Sequence, residues 1–131
     1  MKLSTKSYYG LRGLAHLAKE DGPCSVRKIS REEGIPQKYL EKILQELKKA
    51  GLLYSKKGAD GGYGLSQKPK TISVAKVVNV LEGGISTAPC LGKNRIFCRQ
   101  INLCQEKGFW EKLAKNLDQA LEKITLDQLT R

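Results

Sequence analysis

The chain has no apolar run approaching the roughly 18 residues that a membrane-spanning helix needs. Its first residues, Met1-Lys2-Leu3-Ser4-Thr5-Lys6-Ser7, lack the apolar stretch of a secretory leader. Both absences predict a cytoplasmic protein, where thiols stay reduced. There is a single histidine, His16, and no Ser/His/Asp set, paired-carboxylate constellation or cofactor loop. Nothing in the sequence therefore points to catalysis. Acidic residues are also scarce, with 13 Asp and Glu against 24 Lys and Arg, a formal charge of +11. Residues 1–89 hold 16 of the basic and 8 of the acidic residues, so most of the excess is N-terminal. Attraction to a polyanion is the direct physical consequence, and DNA phosphate is the simplest such partner.

What is present is periodic. Residues 3–20 place Tyr8, Leu11, Leu14, Ala15, Leu17 and Ala18 at helical spacing, with Ser4 or Thr5 as N-cap, and Asp21-Gly22-Pro23 ends that helix. Ser25 can cap a short second helix in which Val26 and Ile29 face inward, and Gly34 breaks it. Pro36 suits the first turn of a third helix reaching about Ala50, with Tyr39, Leu40, Ile43, Leu44 and Leu47 as its buried stripe. Residues 52–56 then read as a strand, 58–62 as a glycine-rich turn and 63–66 as the returning strand. Two short helices followed by a hairpin predict a winged helix-turn-helix domain. A phosphate-cradling loop is the competing reading of the glycines, but the G-K-[ST] ending is absent and a strand follows rather than a helix.

Residues 71–81 continue as a helix with Val74, Val77, Val78 and Leu81 on one face, closed by Gly83-Gly84. Residues 105–124 are helical again, with Trp110, Leu113, Leu117, Leu121 and Ile124 forming a narrow apolar seam. A long helix beyond a compact wing domain has little of its own chain to cover it, so a two-fold homodimer is expected. Thr125 can cap a last turn over 126–129. The expected fold is mainly α with a small β wing. It divides into a DNA-binding domain at 1–83, a cysteine-bearing loop at 84–104, and a dimerisation helix with a C-terminal turn at 105–131.

Three of the 4 cysteines, Cys90, Cys98 and Cys104, fall in that loop. Seven residues separate the first two and five the next pair, which is not the C-x₂-C spacing of a zinc knuckle. Three thiolates form an incomplete shell that suits an iron–sulfur cluster with its fourth ligand from elsewhere. A structural zinc site using the same thiolates, or unligated thiols acting as a redox switch, are the competing readings. Cys24, after the first helix, reads as a small buried residue.

The segments Met1-Lys2-Leu3-Ser4-Thr5-Lys6, Tyr39-Leu40-Glu41, Lys48-Lys49-Ala50-Gly51-Leu52, Gly58-Ala59-Asp60-Gly61-Gly62-Tyr63, Val80-Leu81-Glu82-Gly83 and Ile124-Thr125-Leu126 resemble, in order, the IscR, NsrR, RirA and CymR group of bacterial winged-helix transcription regulators. The resemblance, nearest in kind to IscR, implies a dimeric regulator, a repressor, of a palindromic operator. It further implies an iron–sulfur cluster, 2Fe–2S in preference to 4Fe–4S, held by Cys90, Cys98 and Cys104. The CymR branch lacks these cysteines. One departure is Lys107, which stands where IscR has a histidine that completes the shell. A protonated lysine has no lone pair to offer. Tyr8, His16, Glu106 or an external ligand are the alternatives.

The predicted DNA contacts follow from position. Gln37, Lys38, Tyr39, Glu41 and Lys42 occupy the first turns of the recognition helix; Tyr39 can equally be core. Lys56 and Lys57 lead into the wing tip, and Arg27 and Lys28 open the second helix, where they can clamp phosphate. An iron–sulfur carrier would account for the cysteines but would leave the wing and the basic N-terminal region without a role.

Overall fold

In a computed structural model, residues 3–84 and 105–130 are described. Cys90, Cys98 and Cys104 lie outside the described residues. The order of elements is α1 (Thr5–Lys19), α2 (Val26–Glu33), α3 (Gln37–Lys49), β1 (Leu53–Lys56), β2 (Gly62–Leu65), α4 (Val74–Glu82) and α5 (Lys107–Glu122). Short 3₁₀ turns at Pro69–Thr71 and Leu126–Leu129 complete it. The predicted mainly helical winged architecture is the one observed.

Serine starts three of the helices by the same chemistry. Ser4, Ser25 and Ser73 each sit in extended backbone and accept a hydrogen bond from the amide three residues on, at 3.1 Å in every case. Each satisfies an amide that the helix itself cannot. Pro36 precedes α3 with extended backbone and no side-chain cap, so this helix begins through the fixed φ of proline. Gly34 closes α2 in the left-handed region at φ 66°, which sets the sharp turn between α2 and α3.

β1 and β2 pair antiparallel in the register Leu53↔Leu65 to Lys56↔Gly62. The wing is not a free flap. Cys24 and Tyr63 exchange both backbone hydrogen bonds at 2.9 Å, which stitches the root of β2 to the turn between α1 and α2. Gly62 makes this approach possible: its φ is 149°, and a Cβ there would collide with the Cys24 carbonyl.

The core is one cluster to which α1, α2, α3 and α4 all contribute, including Leu14, Ile29, Leu40, Leu44, Leu47 and Val77, together with Leu52 and Ile72. Leu126, near the chain's end, is fully buried in the same cluster. The backbone brings it there, because Val74 N donates to Ile124 O at 2.7 Å and Leu126 N to Ile72 O at 3.0 Å. The last turn thus docks on the N-terminal unit. Thr125 occupies the N-cap position as expected, but its hydroxyl donates to the Asp127 carboxylate instead of accepting from a backbone amide. No helix among the described residues is long and apolar enough to cross a membrane.

Candidate nucleic-acid interface

The buried stripe of α3 decides which of its residues face outward. With Leu40, Ile43, Leu44 and Leu47 inside, Gln37, Lys38 and Lys42 are exposed on the opposite side. Gln37 Nε2 donates to Glu41 Oε1 at 3.3 Å, a one-turn pair that holds both polar groups on the same face of the helix. Gln45 and Lys49 are exposed one and two turns further on. Sequence reasoning left these two out, although their spacing from Lys42 was legible. Helix α3 is braced by Lys6 of α1, whose ammonium lies 2.7 Å from Glu46 Oε2. Lys48 Nζ donates to Ser55 Oγ at 2.6 Å, fastening the end of α3 to β1.

Tyr39 resolves as a mainly structural group. It is half-buried against the core, and its ring meets Tyr9 edge-on with centroids 5.7 Å apart. Lys56 ends β1 and Lys57 opens the wing tip, both exposed. On α2, Arg27 is exposed and Lys28 half-buried. Lys28 Nζ lies 2.9 Å from Glu20 Oε1. That hydrogen bond holds the Glu20 carboxyl below the usual carboxylate range and the Lys28 ammonium above the usual lysine range. Of the predicted contact residues, Arg27, Gln37, Lys38, Lys42, Lys56 and Lys57 are exposed, and Lys28 is engaged by Glu20 of the turn after α1.

A second set of contacts joins the two ends of the residues that flank the cysteine segment. Glu82, the last residue of α4, accepts from Ser4 N at 2.9 Å and Ser7 Oγ at 2.6 Å, and also from Ser4 Oγ. Partial burial raises the Glu82 carboxyl, but these hydrogen bonds outweigh it and leave the group below its usual value. Asn79 of α4 reaches Asp118 of α5 with a 3.3 Å hydrogen bond. On α5, Trp110, Leu113, Leu117 and Leu121 are only half-buried by the rest of the chain.

The candidates for a fourth cluster ligand stand in different surroundings. Tyr8 is 55% exposed, with the Arg12 guanidinium 5.5 Å above its ring. Glu106 is exposed and its Oε2 accepts from Trp110 Nε1 at 3.3 Å. His16 is buried with both ring nitrogens against carboxylates of its own scaffold.

An exposed basic helix at the second position of a helix-turn-helix, with a hairpin beside it, defines a winged-helix DNA-binding protein. The comparisons carry this further. The model of the Rrf2 family, described as an iron-dependent transcriptional regulator, matches residues 3–131. The Rrf2 protein of Nitratidesulfovibrio vulgaris is 38% identical over 133 aligned residues, covering 100% of this chain and 88% of the relative. The solved structure of CymR, the global cysteine regulator of B. subtilis, superposes with a TM-score of 0.81 at 31% identity, covering 99% of this chain and 96% of that one. The T. potens IscR structure gives 0.76 at 33% identity, covering 98% of this chain and 85% of that one. The chain belongs to the Rrf2 family of DNA-binding transcription regulators, and its relatives are regulators rather than enzymes.

Proposed function

We propose that two copies of this chain bind one roughly palindromic operator as a repressor, and that iron–sulfur ligation by Cys90, Cys98 and Cys104 sets how tightly they bind it. The observation that carries this reading is three thiols within fifteen residues, placed between α4 and α5 of a chain whose family model is described as iron-dependent. The fit rests on donor chemistry: three thiolates suit a cluster, and the missing fourth ligand comes from Tyr8, Glu106 or an external donor. Bound there, the group supplies ligation that responds to electrons and to iron supply.

The chain's own residues do the rest. Glu82 couples the start of the cysteine segment to the first turn of α1, through Ser4 and Ser7. Lys6 and Tyr9 of α1 in turn brace α3, through Glu46 and Tyr39. A change in how residues 84–104 are tied down is thereby felt at the recognition helix. The half-buried face of α5 is the surface through which two copies would join, and a two-fold pair would present its two α3 helices about 34–36 Å apart in successive major grooves. A tenfold change in operator affinity needs only about 1.4 kcal/mol of differential binding between the two forms.

The visible and Mössbauer spectra of anaerobically purified protein test this directly. An iron chromophore of the 2Fe–2S type is expected, lost in Cys98→Ala. A colourless wild type holding stoichiometric zinc would overturn the reading, and an unchanged chromophore in the variant would overturn the ligand assignment.

A further inference from the structure

A cluster of metal-ligating side chains forms where α1, the turn after it and α2 meet. His16 is its centre, 8% exposed. On one side of the ring, Nδ1 lies 3.0 Å from Glu33 Oε1. On the other, Nε2 faces Glu20 Oε1 at 3.3 Å, Glu32 Oε2 at 3.4 Å and Cys24 Sγ at 3.9 Å. The donor atoms of His16, Glu20 and Cys24 all lie within 4.8 Å of one another.

The distances distinguish the two sides. The contact to Glu33 is a hydrogen bond of ordinary length. The three at Nε2 are longer than the roughly 2.7–2.9 Å of a charge-assisted bond, and a single N–H cannot aim at three acceptors. The two carboxylate contacts, at 3.3 and 3.4 Å, match the edges of a coordination shell, and the Cys24 sulfur at 3.9 Å lies a few tenths of an ångström beyond one. Zinc bonds of about 2.0–2.1 Å to nitrogen, 2.0–2.2 Å to oxygen and 2.3 Å to sulfur give tetrahedral donor–donor edges of roughly 3.3–3.7 Å.

We propose that His16 Nε2, Cys24 Sγ, Glu20 and Glu32 form a mononuclear site for a divalent metal of the zinc type, with Glu33 orienting the imidazole. The mixed nitrogen, sulfur and oxygen set suits that ion's borderline softness. The Glu33 contact is the carboxylate–histidine arrangement that fixes the tautomer of a ligating imidazole. Charge agrees as well. Three carboxylates here, on Glu20, Glu32 and Glu33, face two cations, Lys28 and Arg12. With Cys24 as thiolate, four negative charges face those two, and one divalent ion restores balance. Lys28, 2.9 Å from Glu20, is the cation such a metal must displace or share with.

The location gives the site a purpose. Cys24 is the residue whose backbone holds Tyr63 of the wing, and its neighbour Ser25 caps α2. An ion on Cys24, His16 and Glu32 ties α1, α2 and the wing root into one rigid frame beneath the recognition helix.

The test uses the full chain with Cys90, Cys98 and Cys104 all changed to serine, titrated with Co²⁺ and then Zn²⁺. One Co²⁺ per chain is expected, with a thiolate-to-cobalt charge-transfer band and tetrahedral ligand-field bands, both abolished by Zn²⁺. Adding Cys24→Ser should remove the charge-transfer band. Glu32→Gln changes an exposed side chain and should leave the fold intact while weakening Zn²⁺ binding at least tenfold. Glu33→Gln should cost about 10–100-fold, and Lys28→Gln should tighten binding. A folded triple-serine protein that gives no cobalt spectrum would overturn the site. So would a charge-transfer band surviving Cys24→Ser, or Zn²⁺ affinity untouched by Glu32→Gln. Since the loop cysteines are absent throughout, the outcome is independent of whether an iron–sulfur cluster forms on them.

Discussion

In the winged unit, Leu40, Leu44 and Leu47 of α3 are fully shielded by α1, α4 and their neighbours. On α5, Trp110, Leu113, Leu117 and Leu121 keep the same helical spacing but stay half-exposed, because α4 covers only one side of them. The apolar stripes are equally regular; what differs is how far the other described residues close them. The winged unit holds a complete core of its own, to which the final turn adds Leu126. If a second copy covers the remaining face of α5, its stability should depend on protein concentration where that of the winged unit does not.

That contrast can be broken at several points. Leu44→Ala should have the largest effect, destabilising the fold by about 2–5 kcal/mol in urea unfolding at any protein concentration. Leu117→Glu should leave the winged unit folded by circular dichroism while shifting sedimentation from dimer to monomer. Its operator affinity should fall by at least tenfold; an unchanged mass would show that α5 is not the joining surface. On the DNA side, Gln37→Ala should cost about 1–3 kcal/mol and relax preference at one base position. Lys42→Ala should weaken all duplexes alike and reduce the salt slope by about 1. If the pair of subunits neutralises six to ten phosphates, wild-type affinity should drop by about 10³–10⁵ between 50 and 200 mM salt.

The smallest effect concerns Glu82. Its carboxyl lies below the usual 4.5 in the folded state. The stabilisation it gives is therefore complete above that value and is lost as pH falls through the lower, folded-state pKa. Glu82→Gln should cost no more than about 1 kcal/mol at neutral pH, since the residue is exposed, and the gap from wild type should close under acid. A gap that persists at low pH would mean the hydrogen bonds from Ser4 and Ser7 do not depend on the charge.

Much of the winged unit was legible because its punctuation is local. Ser4, Ser25, Gly34 and Gly83 mark helix ends within two residues of where they fall, and the glycine-rich turn announces the wing. The face of α3 followed from its buried stripe. Long-range contacts were not legible. Nothing near Glu82 in the chain signals Ser4, 78 positions away. His16 and Glu20 are one helical turn apart and could have been paired, but Cys24, Glu32 and Glu33 join them only through the packing of α2 on α1. His16, one of the alternatives for a fourth cluster ligand, has its ring nitrogens against carboxylates that only the packing of α2 on α1 brings to it. Tyr39 carried two readings because position alone cannot separate a base-reading side chain from a half-buried one; its edge-on contact with Tyr9 was not legible in the sequence. The last turn over 126–129 was legible, but the burial of Leu126 in the core was not.

The most direct test of the central claim is the affinity of anaerobic iron-loaded and iron-free protein for one operator duplex at fixed salt, measured for the wild type and for Cys98→Ala. The two wild-type forms should differ by at least tenfold, and the variant should show one affinity under both conditions. Equal binding by both wild-type forms would contradict the account.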